Sequence, residues 1–186
     1  MYLFKAISTD VQLAQQTFFT KHTKTKKLIL GSIFACFAAI FQSAGGSFPG
    51  IGYLLSPLAT APILLYSMLS VPFGAMAFLQ AILLLFILQP TELIVFPFTT
   101  GLLGLGIGLS FYLLKSRLSI IVTGAFSLTL GISTLLFILR FPILGPTISN
   151  SFSLLTFGII FIFSFLYSWL WVEIALLLFR RLRGLY

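Results

Sequence analysis

The chain has 186 residues, of which 59% are hydrophobic and 8% charged. A soluble domain carries about a quarter charged residues, so too little polar side chain is present to cover a globule in water; the composition specifies an integral membrane protein. The net charge of +8 does not point to nucleic acid, because the cations stand at the ends of apolar runs: Lys21, Lys24, Lys26 and Lys27, then Lys115 and Arg117, then Arg180, Arg181 and Arg183. A nucleic-acid surface interleaves basic and polar groups on one solvated face.

Residues 1–27 precede the first apolar run. Phe4, Ile7, Val11, Ala14 and Phe18 recur at helical spacing and form one stripe, with Lys5, Asp10, Gln12, Gln15 and Gln16 elsewhere around it. The segment reads as an interfacial helix on the inner leaflet or against a partner subunit, or as a tail with a fortuitous pattern. The apolar run after it is long enough to stay in the membrane rather than serve as a cleaved signal.

A helix needs roughly 20 mainly apolar residues to cross about 30 Å of hydrocarbon. Six spans meet that rule, over residues 28–44, 51–70, 73–88, 93–114, 118–139 and 152–179. The expected class is therefore an all-α membrane protein of six spans, with residues 1–27 as a separate amphipathic segment and 28–186 as the membrane domain.

In the first span Gly31, Ala35 and Ala39 recur every fourth residue. Such a row lets another helix approach closely, either a helix of this chain or one of a partner. Cys36 in the same run has no second cysteine to pair with and reads as a small packing residue. The stretch after it, GSFPGIGYLLSPLATAP, interrupts apolar sequence with glycines and prolines. Lipid cannot satisfy a broken backbone, so the stretch is expected to dip as a lid or re-entrant loop at the outer surface, or to kink the second helix.

The fourth span carries TTGLLGLGIG. It lacks the GKS or GKT of a phosphate loop, and Gly104 with Gly108 reads as a packing face; Gly124 and Gly131 in the fifth span read likewise. Catalytic material is sparse. The acids are Asp10, Glu92 and Glu173 and the histidine is His22, with no nucleophile–base pair or metal-ligand cluster. No enzyme activity and no cofactor is expected.

The cations orient the chain. With the lysine-rich segment cytoplasmic, Lys115, Arg117 and Arg180, Arg181 and Arg183 fall on the same side and Arg140 alone falls outside, as the positive-inside rule requires. Both termini are then cytoplasmic. Glu92 and Arg140 are left as the charged residues of the outer side, able to pair with each other, to bind the polar end of a ligand, or to stand solvated. Gln42, Ser43, Tyr53, Ser56, Thr147, Ser149 and Asn150 belong to the same end.

This pattern resembles the substrate-binding (S) components of energy-coupling factor (ECF) vitamin transporters. Those are small proteins of six membrane helices with both ends cytoplasmic. Their first helix carries an AxxxA motif that docks on a transmembrane coupling subunit, matched here by Ala35-Cys-Phe-Ala-Ala39 with Gly31 in register. The GGSFPGIGYLLSP segment resembles the loop that caps their outer binding site. The resemblance implies capture of a vitamin-like solute at the outer face of a bacterial cytoplasmic membrane. It also implies docking on a coupling subunit with two cytoplasmic ATPases, and no hydrolysis by this chain. Docking would fall to Gly31, Ala35 and Ala39, and solute binding to Tyr53, Glu92, Arg140 and Asn150. The alternative is a non-catalytic scaffold subunit of a cell-envelope complex, using the same glycine faces and basic ends.

Overall fold

The computed structural model describes residues 15, 20, 23–48, 50–141 and 154–183, the last five of these by backbone alone. Six helices are long and apolar enough to cross a membrane: α1 (Lys24–Ser47), α2 (Gly52–Leu69), α3 (Val71–Leu88), α4 (Glu92–Leu113), α5 (Arg117–Ile138) and α6 (Leu154–Arg183). No strand occurs among the described residues. The chain is thus a helical, multi-pass membrane protein. Short connections at Ser70, Gln89–Thr91 and Leu114–Ser116 make neighbours antiparallel, so the bundle has a Glu92 end and a Lys115 end.

Each boundary has a local cause. Thr23 caps α1 by accepting from the Lys26 amide, and Ser116 caps α5 by accepting from the Ser119 amide. Pro72 at the start of α3 sits where no amide partner is needed. Gly50, at φ +80°, turns the chain between α1 and α2.

The interrupted stretch after α1 forms no re-entrant loop. The first helix continues through Gly46 to Ser47, a tight turn follows, and α2 begins at Gly52. Pro57 is absorbed by a 3₁₀ turn over Ser56–Ala59, so a kinked second helix replaces the expected lid. A Cβ at Gly52 would come 2.0 Å from the Ala44 carbonyl oxygen, which shows how tightly the turn closes.

The bundle has two apolar centres that share α2 and α4. One joins Ala35, Ala38 and Ala39 of α1 to Ala59, Ile63 and Tyr66 of α2, Ala77, Ala81 and Leu85 of α3, and Phe96 of α4. The other joins Leu64 and Met68 of α2 to Leu103 and Ile107 of α4, Ile120 and Leu128 of α5, and Trp171 and Val172 of α6. The small-residue row of α1 therefore faces this chain's own helices. Ala35 and Ala39 are fully buried, and Gly31 lies under Tyr66, whose Cε1 would be 2.9 Å from an added Cβ. Tyr66 also stacks on Phe34 at 5.2 Å and donates to the Lys27 carbonyl. That corrects the assignment of Gly31, Ala35 and Ala39 to a partner: close packing with α2 and α3 consumes the row. Cys36 is corrected as well, being exposed on the opposite face of α1 rather than packed inside.

The glycines of α4 and α5 do act as packing faces. A Cβ at Gly104 would meet the Thr60 carbonyl at 3.0 Å, and one at Gly108 would meet Ser67 Cβ at 2.3 Å. Helix α4 is not continuous, however. Pro97 removes an amide from its interior, and Thr99 adopts φ −121°, ψ −100° between two helical segments. The Thr99 hydroxyl donates to the Val95 carbonyl at 2.7 Å, satisfying backbone locally where lipid cannot. The Phe98 carbonyl turns toward α5, where a Cβ on Gly131 would sit 1.7 Å from its oxygen. Only a glycine lets that carbonyl in.

Candidate functional site

The Glu92 end carries a connected set of polar side chains on three helices. Gln42, in the last turns of α1, is 1% exposed, and Thr100, beyond the break in α4, is 9% exposed. The Thr100 hydroxyl donates to Gln42 Oε1 at 2.6 Å, and Gln42 Nε2 donates to Glu92 Oε2 at 2.7 Å. The amide thus relays between a hydroxyl and a carboxylate, with both of its polar atoms used. Glu92 stands in the first turn of α4, where the helix macrodipole favours a negative charge. Its other oxygen, Oε1, lies over Gly45, 3.1 Å from where a Cβ would be, beside Ser56 of α2.

Local sequence builds this arrangement. Gly45 and Gly46 leave the end of α1 bare, and the α3–α4 turn settles on it; a Cβ on Gly46 would come 2.2 Å from Gln89 Nε2. Gln89 in turn donates to Thr91 Oγ1 at 3.1 Å, ordering the turn that presents Glu92. Chemically, the result is a half-buried carboxylate with one oxygen fixed by an amide and the other directed at the space between α1 and α2. Such a group accepts hydrogen bonds from an amine, an amide or a cation.

The expected site residues are distributed unevenly around it. Glu92 is part of the network. Arg140 ends α5 at the same end of the bundle, exposed, and makes no ion pair with Glu92. Its backbone lies at φ +52°. The Phe141 amide reaches back to the Leu135 carbonyl at 2.8 Å and the Leu139 amide to Thr134 at 3.0 Å, so Arg140 holds the left-handed closing position usually given to glycine. Tyr53 is 72% exposed in the first turn of α2 and points away from the bundle interior. Asn150, with Thr147 and Ser149, lies outside the described residues. Thr100 was not legible as a site residue, because a threonine in an apolar run ordinarily bonds its own helix; the adjacent Pro97 is the sequence signal that the local helix is broken.

A second polar link closes the opposite end. Arg117 NH1 lies 3.3 Å from Glu173 Oε1, joining the start of α5 to α6, and the arginine side chain is 3% exposed against 26% for the glutamate. Sequence reasoning placed Arg117 among the cations flanking the apolar runs and named Glu173 only as one of the acids. The N-terminal stripe lies largely outside the described residues, but Gln15 is buried and donates to the Met68 carbonyl at 2.7 Å, tying that segment to the Lys115 end of α2. Among the described residues no three of His, Cys, Asp and Glu gather into a metal-ligand set.

No protein-family profile matches the chain, and neither a curated protein nor a solved structure does.

Proposed function

We propose that the protein is a membrane-embedded substrate-binding subunit of an ECF-type importer, with both termini cytoplasmic and the Glu92 end facing outward. The basic residues support the orientation: among the described residues, Lys24, Lys26, Lys27, Lys115, Arg117 and the arginines of α6 belong to the Lys115 end, and Arg140 alone to the other. The observation that carries the solute-binding reading is the Thr100–Gln42–Glu92 chain. A buried amide is committed to orienting a carboxylate at the outer mouth, which is costly in a membrane helix unless it serves recognition. The complementary solute is a small molecule with a protonated amine or amide donors. Arg140 stands at the rim, able to meet a carboxylate or phosphate on the same molecule.

Docking on a coupling subunit needs a surface other than the Gly31–Ala35–Ala39 row. The opposite face of α1 offers Ile29, Ile33, Phe37 and Ile40, all exposed, and a partner or the lipid bilayer covers it. The chain itself hydrolyses nothing in this reading; ATPases bound to the coupling subunit supply the energy. The scaffold reading meets the same condition, because the Gly31–Ala39, Gly104–Gly108 and Gly124–Gly131 faces pack inside the bundle and leave large apolar side chains outward.

The test is gentle purification followed by native mass spectrometry, on the natural chain and on Glu92→Gln. A retained small molecule that Glu92→Gln loses supports the proposal. A chain free of small molecules that still carries stoichiometric protein partners selects the scaffold instead.

A further inference from the structure

Buried polar groups without hydrogen-bond partners gather at mid-depth in the half of the bundle away from Glu92. On α6, Ser164, Tyr167, Ser168 and Trp171 follow one another at i, i+3, i+4 and i+7, so they share a face. Ser164 and Ser168 are fully buried and Trp171 is 3% exposed, yet neither serine hydroxyl nor Trp171 Nε1 has a partner. A hydroxyl in a membrane helix normally bonds the carbonyl one turn back. This chain does so repeatedly, with Ser110 on Gly106 at 2.6 Å, Thr123 on Ser119 at 2.9 Å and Ser127 on Thr123 at 2.9 Å. Ser164 and Ser168 do not.

Across from them stands Thr60 of α2, fully buried, its Oγ1 likewise unpartnered. The Tyr167 hydroxyl lies between these groups. It donates to the Pro57 carbonyl at a long 3.4 Å and lies beside Thr60 and Trp171. Gly124 of α5 completes the wall and gives Ser168 room, since a Cβ there would lie 3.0 Å from Ser168 Oγ.

We infer that Thr60, Ser164, Tyr167, Ser168 and Trp171 line a hydrated chamber between α2, α5 and α6 that holds bound water. Buried hydroxyls and an indole N–H that lack well-formed protein partners are the arrangement a bound water completes, and buried water takes about three such bonds. The lining selects the guest. It consists of hydroxyls that donate and accept and of one indole that only donates, with no charge among them. Glu173, two residues beyond Trp171 on α6, is engaged by Arg117. A neutral molecule with both donor and acceptor capacity fits; a bare ion does not. The inference does not depend on the solute-binding proposal, because the chamber and the Glu92 network share no residue.

The experiment is water-edited magic-angle-spinning NMR on the full chain in lipid bilayers. Thr60 Cβ, Ser164 Cβ, Ser168 Cβ and Trp171 Nε1 should gain magnetisation from water several-fold faster than Ala77 and Ala81, which are buried in the apolar centre beneath α1. Equal, slow transfer at both sets overturns the chamber. In the double variant Thr60→Val, Ser168→Ala, transfer to Trp171 Nε1 should fall to the Ala77 level; unchanged transfer means these residues do not hold the water, and overturns the lining. Contacts to a co-purified organic molecule at these residues, with no water transfer, overturn the identity of the guest. Should the double variant not fold, the comparison within the natural chain still decides.

Discussion

At the level of single residues, Gln42 and Gly131 have the clearest consequences. Gln42 serves Thr100 and Glu92 at once, so Gln42→Leu leaves a hydroxyl and a carboxylate oxygen without partners inside the bundle. The expected cost is roughly 1–3 kcal/mol, read as a lowered unfolding midpoint in detergent, with solute retention lost alongside it. An unchanged midpoint would show that the network contributes nothing to stability. Gly131→Ala places a methyl where the Phe98 carbonyl now sits; backbone cannot yield as a side-chain tip does, and a loss of about 1–3 kcal/mol or more is expected. Gly158, with nothing within 4 Å of its would-be Cβ, is the matched control, and Gly158→Ala should be neutral or stabilising. Arg140 works in the other direction. A non-glycine residue at φ +52° is strained, and Arg140→Gly should raise stability by about 1 kcal/mol. If the same change weakens solute binding, the strain is held for function; if binding is untouched, Arg140 leaves the proposed site.

At the level of elements, the contrast is between α2 and α4, each interrupted by proline. Pro57 costs α2 only a 3₁₀ turn, because it falls in the first turns near the bundle surface. Pro97 breaks α4 in its interior and redirects the Phe98 carbonyl into α5. Pro97→Ala restores the missing amide but straightens a helix whose neighbour is shaped to the break, so it should destabilise rather than stabilise, contrary to the usual effect of removing a helix-interior proline. The α5–α6 pair is fastened by Arg117 and Glu173. Glu173→Gln replaces the charged partner of the buried Arg117 by a neutral amide and should lower the unfolding midpoint, whereas Arg117→Leu with Glu173→Leu removes both charges and should recover most of the loss. A double-mutant cycle on the unfolding midpoint measures the coupling; additive single effects would show that the pair is incidental.

For the whole molecule, the prediction concerns sidedness. Among the described residues every basic one but Arg140 belongs to one end of the bundle, and reporter fusions after Lys115 and at the carboxyl end should both report the cytoplasm, with a fusion after Arg140 reporting the outside. A cytoplasmic signal at Arg140 would invert the bundle and remove Glu92 from any outer mouth. Scale also separates the two apolar centres. The one under α1 sets Ala35, Ala38, Ala39, Ala59, Ala77 and Ala81 beside Ile63, Tyr66, Leu85 and Phe96 and brings helices close; the one between α2, α4, α5 and α6 is built mainly from large aliphatic side chains and includes Tyr167 and Trp171 of α6.

Much of the fold is legible along the chain because apolar length is a local quantity. Six spans follow from run lengths alone, and the described helices fall within a few residues of those runs. Glu92 is conspicuous for a similar reason, as a rare charge between two apolar runs. Tertiary structure alone decided what the small residues and isolated polar groups do. The Gly31–Ala39 row has the same spacing whether it meets its own chain or another, and only the placement of Tyr66 over it shows that it is filled. Gln42, Thr100 and Glu92 lie 50 and 58 residues apart in their bonded pairs, so their link exists only once α1 and the broken α4 are packed. Periodicity says which residues share a face; it does not say what that face meets.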